Sequence, residues 1–157
     1  LSNYDSVQER MLYVAPLASV KENTLLFVTA ASMCKLVSGA EFDVAKRTIV
    51  STKLAEEDSL IFVGSAFHFT CCYSEMEQVV FQSEGGYFLR FQKQDISAMK
   101  KTSIGVRGMK LAEGDKLDHA YLLESRQEYT ITYHDKPYVL NRIKLSKRDS
   151  KGTKPRI

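Results

Sequence analysis

One eight-residue pattern, K-L-A-E-x-D-x-L, occurs twice in this chain, at residues 53–60 and again at 110–117. The matching extends upstream, where residues 25–27 correspond to 79–81 at an offset of 54. The octets themselves are 57 residues apart, so the second copy has a longer loop before its octet. A repeat of this length indicates stacked units that bury their faces against one another. The repeat therefore constrains the fold more than any single motif does.

A third, partial unit follows the second octet. Its clearest feature is a basic loop, residues 147–154, which matches residues 100–107 in the form K-[KR]-x-S-x-G-x-[KR]. Only the glycine and the basic positions recur closely, so the two loops share charge and backbone freedom. The sequence predicts a single domain over residues 1–157 with repeats at about 25–78, 79–128 and 129–157, the last of them incomplete.

Short apolar segments rich in β-branched and aromatic residues alternate with polar turns along the chain. Hairpin turns are expected at 84–86 and 134–136, where Gly or Asp tolerates a positive φ. Only residues 6–12 show a weak helical periodicity. We therefore predict an all-β, propeller-like fold of about three repeated blades, each of roughly four strands. The predicted strands are 25–29, 33–37, 59–63, 67–73, 78–83, 87–92, 117–123, 129–133 and 138–143.

In such blades the octet is interpreted as a turn that leads into a strand. Leu54 and Leu60 are expected to point inward, and Asp58 is expected to fix the turn through side-chain to backbone hydrogen bonds. This structural role is favoured over a catalytic role for Glu56 or Asp58. The predicted core comprises Phe27, Leu36, Phe42, Leu54, Leu60, Phe81, Ile96, Leu111 and Leu117.

The composition, with 44% hydrophobic and 26% charged residues in 157, is that of an ordinary globular chain. No apolar run approaches the roughly 20 residues that a membrane helix needs, and the N-terminus has no signal-peptide pattern. We therefore expect a cytoplasmic protein. Because residue 1 is Leu and not Met, we expect the chain to be a piece of a longer polypeptide.

The net charge of +3 is unevenly distributed. Residues 141–157 contain seven basic residues and one acidic residue, a local charge of +6, which leaves −3 for the rest of the chain. A basic segment on a nearly neutral body is a candidate contact for a polyanion, and a solvated or disordered terminus is the alternative.

Three cysteines, two of them adjacent, favour reduced thiols over a disulfide framework. The segment His68-Phe69-Thr70-Cys71 has loose metal-ligand spacing, but no second cluster completes a set of four ligands. Buried strand cysteines are therefore favoured, and no metal site is predicted.

Several features recur in an order that resembles the C-terminal domain of the A subunit of bacterial type IIA topoisomerases, DNA gyrase and topoisomerase IV. They are an apolar strand that ends in Thr, a Gly-containing turn, a second strand, a basic loop of GVRG type and an apolar-x-x-x-D turn. The resemblance covers roughly residues 10–157. The segments that carry it are Leu25-Leu26-Phe27-Val28-Thr29, Gly85-Gly86-Tyr87-Phe88-Leu89-Arg90-Phe91, Ile104-Gly105-Val106-Arg107-Gly108-Met109-Lys110-Leu111 and Gly114-Asp115.

This resemblance implies a β-pinwheel, a propeller variant whose blades exchange strands with their neighbours, and a basic rim that binds and bends duplex DNA. Independently of the family, Lys and Arg displace counterions from DNA, and Gly105 or Gly152 would let backbone N–H groups approach a phosphate. The predicted DNA-binding residues are Lys46, Arg47, Lys53, Arg90, Lys100, Lys101, Arg107, Lys110, Arg142, Lys144, Lys147, Arg148, Lys151 and Lys154.

Two departures from the family pattern bear on how far DNA would be wrapped. The gyrase members carry a Q-R-R-G-G-K-G box, whereas the nearest match here, residues 146–152, reads S-K-R-D-S-K-G and lacks the paired glycines. A full gyrase domain also has more blades. We therefore expect a shortened, topoisomerase IV-like domain or a fragment of one, with weaker wrapping than gyrase.

The family's catalytic groups are not found in this sequence. The resemblance places the DNA-cleaving Tyr next to an Arg, and no Tyr here follows an Arg; no phosphate-cradling motif is found either. The domain is thus predicted to be non-catalytic, with no metal or cofactor of its own, whereas the holoenzyme would need ATP and Mg²⁺. The implied partners are duplex DNA, the ATPase B subunit of a heterotetramer and the remainder of the A subunit. The implied location is the bacterial nucleoid.

Two other functions stay open. A protein-interaction β-propeller of the WD-repeat type would share the repeats, but the chain has no Trp and carries basic loops. A hydrolase that pairs Cys71 or Cys72 with His68, His119 or His134 would need a nucleophile turn, and none is recognisable.

Overall fold

A computed structural model describes residues 4–68 and 74–156 of the chain, and short antiparallel strands make up most of its regular structure. One helix, α1 (Leu17–Lys21), precedes the first strand, and 3₁₀ turns occupy Gly39–Phe42, Lys93–Asp95 and Leu140–Arg142. The strands are β1 (Thr24–Thr29), β2 (Met33–Ser38), β3 (Leu60–Ser65), β4 (Phe67–His68), β5 (Ser74–Glu75), β6 (Gln78–Ser83), β7 (Phe88–Gln92), β8 (Val106–Arg107), β9 (Leu117–Leu123), β10 (Thr130–Tyr133) and β11 (Lys136–Val139).

Most of the predicted strands are confirmed to within two residues, and β6 and β9 have the predicted bounds at both ends. The two-residue strands β5 and β8 and the helix α1 were not predicted. The weak helical pattern at 6–12 was misleading, since those residues form no helix. The predicted strand 67–73 begins as β4, and its remainder lies outside the described residues.

The predicted strand 138–143 was wrong. The chain pairs earlier, as β11, and the next residues form the 3₁₀ turn Leu140–Arg142. The hairpin turn between β10 and β11 therefore contains only His134 and Asp135, both of which have a positive φ, 49° and 61°. Such two-residue turns match the twist of the strands they connect, so the turn sets the register of this hairpin.

The strands form two principal sheets of matching design. β1 lies between β2 and β3 in the first sheet, and β6 lies between β7 and β9 in the second, with every pair antiparallel. Both sheets have a register shift at the corresponding place, after Val28 in β1 and after Gln82 in β6. Because bulges are specific features of a sheet, their recurrence shows that the sequence repeat is also a structural repeat.

A strand from the second repeat completes the sheet of the first. β8 pairs with the outer side of β2, where Val106 lies opposite Cys34. The third repeat pairs with the second sheet in the same way. Thr153 and Phe88 of β7 exchange two backbone hydrogen bonds, each at 2.9 Å. Neighbouring blades are therefore joined by main-chain hydrogen bonds as well as by side-chain packing.

The aspartates of the two octets make the same pair of hydrogen bonds. Asp58 accepts from the N–H groups of Ala31 and of its own following residue, at 2.9 and 2.8 Å. Asp115 accepts from Gly85 and from its own following residue, both at 2.9 Å. Ala31 and Gly85 lie in the β1–β2 and β6–β7 turns, so each aspartate fastens a hairpin turn to the start of the third strand of its sheet. The role predicted for Asp58 is thus confirmed.

The two main sheets pack against each other through alternate residues of their central strands. Leu26 and Val28 of β1 share one fully buried cluster with Val79 and Phe81 of β6. The other face of the second sheet packs against the third repeat. Each interior face is therefore shared between neighbouring units, as a stack of repeats requires.

Leu54 does not occupy the predicted inward position, since 38% of it is exposed. Its counterpart Leu111 packs against the cluster between the sheets, next to the buried Met109. That segment follows β8, which the pairing with β2 holds in place. Residues 45–53 form no strand, and the described residues before β1 offer no sheet edge with which they could pair. The prediction for Leu54 was therefore wrong because the first copy of the octet lacks the strand exchange of the second.

Replacing Asp115 with Ala is expected to lower the free energy of unfolding by about 1–3 kcal/mol, because two N–H groups lose a charged acceptor. Glu113→Ala is the matched control, since Glu113 is an exposed acid of the same octet, and it should leave stability nearly unchanged. Urea unfolding at pH 7, followed by circular dichroism, measures both variants. Equal stabilities of the two variants would contradict the role assigned to Asp115.

The contribution of Asp115 should also depend on pH. Burial acts to raise the pKa of this carboxyl, but hydrogen bonds from Ser83, Gly85 and Lys116 outweigh it and hold the pKa below its ordinary value. A carboxyl whose pKa is lowered in the folded state contributes stability above its unfolded-state pKa, and this is lost as the pH falls through the folded-state pKa. The stability difference between the native chain and Asp115→Ala should therefore shrink below about pH 4.

Candidate nucleic-acid interface

The basic loops of the three repeats are joined by main-chain hydrogen bonds. The first loop meets the second where the Lys53 N–H donates to the Lys101 carbonyl, at 3.2 Å. The second meets the third where the Lys110 N–H donates to the Ser150 carbonyl, at 2.9 Å. The loops therefore form one continuous surface, which we call the basic rim. The basic rim consists of residues 46–53, 100–110 and 147–154.

Most of the predicted DNA-binding residues are exposed. Arg142 and Lys144 lie just before the third loop, and Arg142 is 4.0 Å from Glu128. Lys101, Arg148 and Arg90 are partly buried. The exposed members are Lys46, Arg47, Lys53, Lys100, Arg107, Lys110, Arg142, Lys144, Lys147, Lys151 and Lys154.

Arg107, in the second loop, is paired with an acid of the third. Its Nε and Nη2 donate to the two carboxylate oxygens of Asp149 at 2.5 and 3.0 Å. This bidentate pair raises the pKa of Arg107 and lowers that of Asp149. The side chains are 51% and 38% exposed, so solvent and solutes reach both partners. The pairing was not predicted from the sequence, where the only signal for it was an acid in place of a glycine of the family box.

Arg148 connects the second and third loops from within. Its Nε donates to the Asp95 carbonyl at 2.8 Å, and its Nη1 donates to the Arg107 carbonyl at 2.5 Å. The guanidinium therefore lies against the backbone of the second repeat. Arg148 helps to fix the rim, and a direct contact with DNA stays a prediction.

Arg90 fastens the third repeat to the second sheet. Its Nε donates to the Gln78 side chain at 2.8 Å, and its Nη1 donates to the carbonyls of Asn141 and, at 2.8 Å, Ile143. Burial lowers the pKa of this guanidinium. These internal hydrogen bonds satisfy the guanidinium of Arg90, and its contact with DNA stays a prediction.

Gly105 and Gly152 lie where a loop crosses the preceding sheet. Their φ angles are +111° and +75°, and an added Cβ would lie 2.6 Å from the carbonyl oxygen of Cys34 or Phe88, respectively. Cys34 and Phe88 correspond in the repeat, so this close approach is part of the strand exchange. The two glycines therefore allow one backbone to pack on another, and the phosphate approach predicted for them stays a prediction.

The basic segment after residue 141 is fixed along the second sheet. Besides the pairing of Thr153, Leu145 forms a β-bridge with Arg90, and Ser150 forms one with Met109. The backbone of this segment is thus held by the rest of the chain through residue 153. This arrangement favours a fixed basic surface over the alternative of a disordered terminus.

Other kinds of site find little support in residues 4–68 and 74–156. No group of three or more His, Cys, Asp or Glu residues in these ranges is arranged to hold a metal ion. No helix there is long and apolar enough to cross a membrane. Burial raises the pKa of the Cys34 thiol to about 12, so this thiol is not a reactive nucleophile at neutral pH. Cys71 and Cys72 lie outside the described residues.

The two segments that contain the main sheets match a known protein family. The family model of the DNA gyrase C-terminal domain, beta-propeller, matches residues 23–66 and 77–124, more than half of the chain. The chain belongs to this family. Each matched segment of the gyrase C-terminal domain family contains one central strand, β1 or β6, and one copy of the octet.

Relatives in the family come from both gyrase and topoisomerase IV. The gyrase A protein of Klebsiella oxytoca is 32% identical over 111 residues, which are 69% of this chain and 12% of the relative. The gyrase A protein of Staphylococcus aureus is 28% identical over 156 residues, 96% of this chain and 17% of the relative. The corresponding protein of DNA topoisomerase 4 from Streptococcus pneumoniae is 25% identical over 138 residues, which are 84% of this chain and 16% of the relative. The chain thus spans less than a fifth of the length of these relatives.

Solved structures of the family share the fold. The C-terminal domain of DNA topoisomerase IV has a TM-score of 0.71 and 22% identity, covering 84% of this chain and 41% of that one. The DNA gyrase A C-terminal domain has a TM-score of 0.64 and 23% identity, and the match covers 85% of this chain and 44% of that one. The predicted β-pinwheel, with blades that exchange strands, is therefore confirmed.

Replacing Gly105 with Ala is expected to destabilise the chain more than replacing Gly114 with Ala. Both glycines have a positive φ, but a Cβ at Gly105 would meet backbone at 2.6 Å, whereas at Gly114 nothing lies within 4 Å. Gly114→Ala should cost about 1–2 kcal/mol for the backbone conformation alone, and Gly105→Ala should cost more. Chemical denaturation measures the difference. Equal losses would show that the close approach of β8 to β2 contributes nothing.

Proposed function

We propose that this domain is a non-catalytic module that binds and bends duplex DNA for the A subunit of a type IIA topoisomerase. The observation that carries the proposal is the basic rim, in which exposed cations of three repeats lie on loops joined by main-chain hydrogen bonds. A row of Lys and Arg side chains matches the regular phosphate charges of a duplex and displaces its counterions.

The chemistry of the rim favours binding that tolerates many sequences. Its charged groups are mostly lysines, which act as compact point charges towards phosphate. Contacts with phosphate position a protein on DNA but do not read bases. A rim that extends across three blades would contact the duplex over several phosphates and, if it is curved, would bend the duplex.

The rest of the enzyme belongs to the same proposal. We infer that the chain acts in a heterotetramer with an ATPase B subunit, joined to the remainder of its own polypeptide, and that ATP and Mg²⁺ would be used outside this domain. Its own role would be to present a bent duplex segment for strand passage. Weaker wrapping than in gyrase is expected because residues 146–152 lack the paired glycines of the gyrase box.

Salt dependence tests the proposal directly. If about eight cations meet phosphates, the logarithm of the association constant should fall with the logarithm of salt concentration with a slope near −7. Fluorescence anisotropy of a labelled duplex at several salt concentrations measures the slope, and energy transfer between the two duplex ends measures bending. Absent binding, or binding that ignores ionic strength, would contradict the function.

The triple change of Lys100, Lys101 and Arg107 to Glu should weaken binding to duplexes of every sequence. It should make the salt slope shallower by up to roughly 3, because Asp149 partly holds Arg107 in the native chain. The matched control changes three cations outside the basic rim to Glu, with the same change in net charge. The control residues are Lys21, Lys116 and Arg126. If both triple variants lose affinity equally, then net charge, and not the rim, determines binding.

Asp149→Asn should bind DNA more tightly than the native chain. The change keeps the shape of the side chain, tolerates the φ of 65° and removes the carboxylate that holds Arg107. An exposed ion pair contributes little to stability, so we expect a gain in affinity of up to about fivefold with nearly unchanged thermal stability. Asp118→Asn, which also removes one exposed negative charge, is the control. An equal gain in the control would show that the release of Arg107 is irrelevant.

A further inference from the structure

Lys35 is a buried lysine at the junction of the first two blades. It lies on β2 and is only 1% exposed. Its Nζ donates to three carbonyl oxygens of the second basic loop, those of Lys100 at 3.3 Å, Lys101 at 2.8 Å and Ser103 at 2.5 Å. An ammonium has three donors, so every proton of this group has an acceptor. A buried charge is tolerated only when it is satisfied in this way.

The direction of the Lys35 side chain is fixed by packing. Lys35 lies opposite Phe27 in the β1–β2 pair, and its Nζ is 5.7 Å from the centre of the Phe27 ring. Burial lowers the pKa of Lys35, and the nearby carboxylate of Glu41 acts in the opposite direction. The ammonium therefore reaches the second loop from inside the first blade and along a defined path.

The three carbonyls belong to the segment that carries two predicted DNA contacts. The same segment is closed by a hydrogen bond from the Ser103 N–H to the Lys100 carbonyl, at 3.0 Å. Lys101 also donates from its Nζ to the Glu41 carbonyl, at 3.3 Å. All of these partners except the loop itself are in the first repeat. The conformation of residues 100–103, at the start of the second loop, is thus held by the blade before it.

We propose that Lys35 is a positioning residue for DNA binding. Its ammonium fixes the backbone of residues 100–103 and thereby presents the exposed Lys100, with the partly buried Lys101 beside it, to the phosphates, while Lys35 itself is too deeply buried to touch DNA. The inference rests on the proposed function of the basic rim. This positioning role is specific to the first blade, because Leu89 occupies the position equivalent to Lys35 in the second blade and is buried among apolar residues.

The test compares Lys35→Met with the native chain. Methionine keeps the apolar stem and removes the three donors, so the second loop loses its anchor. We expect duplex affinity to fall about fivefold to tenfold and the salt slope to become shallower by about 1 to 2, the share of Lys100 and Lys101. Leu89→Met at the equivalent position is the control for a changed core residue, and it should bind DNA as the native chain does.

A double-mutant cycle separates positioning from a general effect of charge or stability. In a chain that carries Lys100→Ala and Lys101→Ala, adding Lys35→Met should cause no further loss of affinity, because the residues through which Lys35 acts are absent. If Lys35→Met lowers the duplex affinity as much in that background as in the native chain, the inference is overturned. It is also overturned if Lys35→Met alone binds DNA with the affinity of the native chain. Either result leaves the proposed function intact provided that the native chain binds DNA with a steep salt dependence.

Hydrogen exchange tests the inference without DNA. The amide of Ser103 should be protected in the native chain and should lose protection in Lys35→Met, while the Phe81 amide in the second sheet keeps its protection. If Lys35→Met does not fold, the native chain still tests the inference, since exchange of Ser103 at the rate of an unstructured amide would overturn it. If the native chain fails to bind DNA, the proposed function is wrong, and the exchange data alone show whether Lys35 holds the loop.

Discussion

The pairing of each blade with a strand from the next repeat is the interaction on which the rest of the structure depends. β8 extends the first sheet beyond β2, and Thr153 makes the corresponding bonds to the second sheet. Because these bonds are between main chains, they fix the spacing and orientation of neighbouring blades more closely than side-chain packing alone would. The buried clusters between the sheets can then form in one arrangement, with Leu26 and Phe81 in the same core.

The strand exchange also determines where the cations lie. The exchanged segments are parts of the basic loops, so the residues that pair with a sheet are next in sequence to the residues that carry charge. Arg107 is itself one of the two residues of β8, and Lys154 directly follows the paired Thr153. A surface that is held by the fold would need little ordering to bind a ligand, which would lower the entropic cost of association. The same bonds thus stabilise the fold and prepare the basic rim.

Much of this fold could be predicted from the repeat. Short β-branched runs separated by turn residues located the central strands, and the shared octet predicted that Asp58 would fasten a turn. The family resemblance implied only that neighbouring blades exchange strands. Neither β8 nor its pairing with β2 was predicted, because a two-residue strand has no periodicity of its own. Leu54 was misplaced for a related reason. Its octet matches that of the second copy at six of eight positions, but its burial depends on a pairing that the first copy does not make.

The residues that sequence reasoning missed are those at which the repeats differ. Lys35 has Leu89 as its counterpart, and nothing in the local sequence distinguishes a lysine that is buried under a loop from one that is exposed on a strand. Its partners are backbone carbonyl groups some 65 residues away. Since every residue type has such a carbonyl, the sequence does not show which ones accept from Lys35. Asp149 was likewise visible only as a missing glycine. In this repeat chain, the positions that the repeats share therefore specify the fold of each blade. The polar positions at which the repeats differ, such as Lys35 and Asp149, contact the basic loop of a neighbouring repeat. Comparing the repeats with one another is consequently a more direct route to the residues that organise the basic rim than searching any one repeat for a motif.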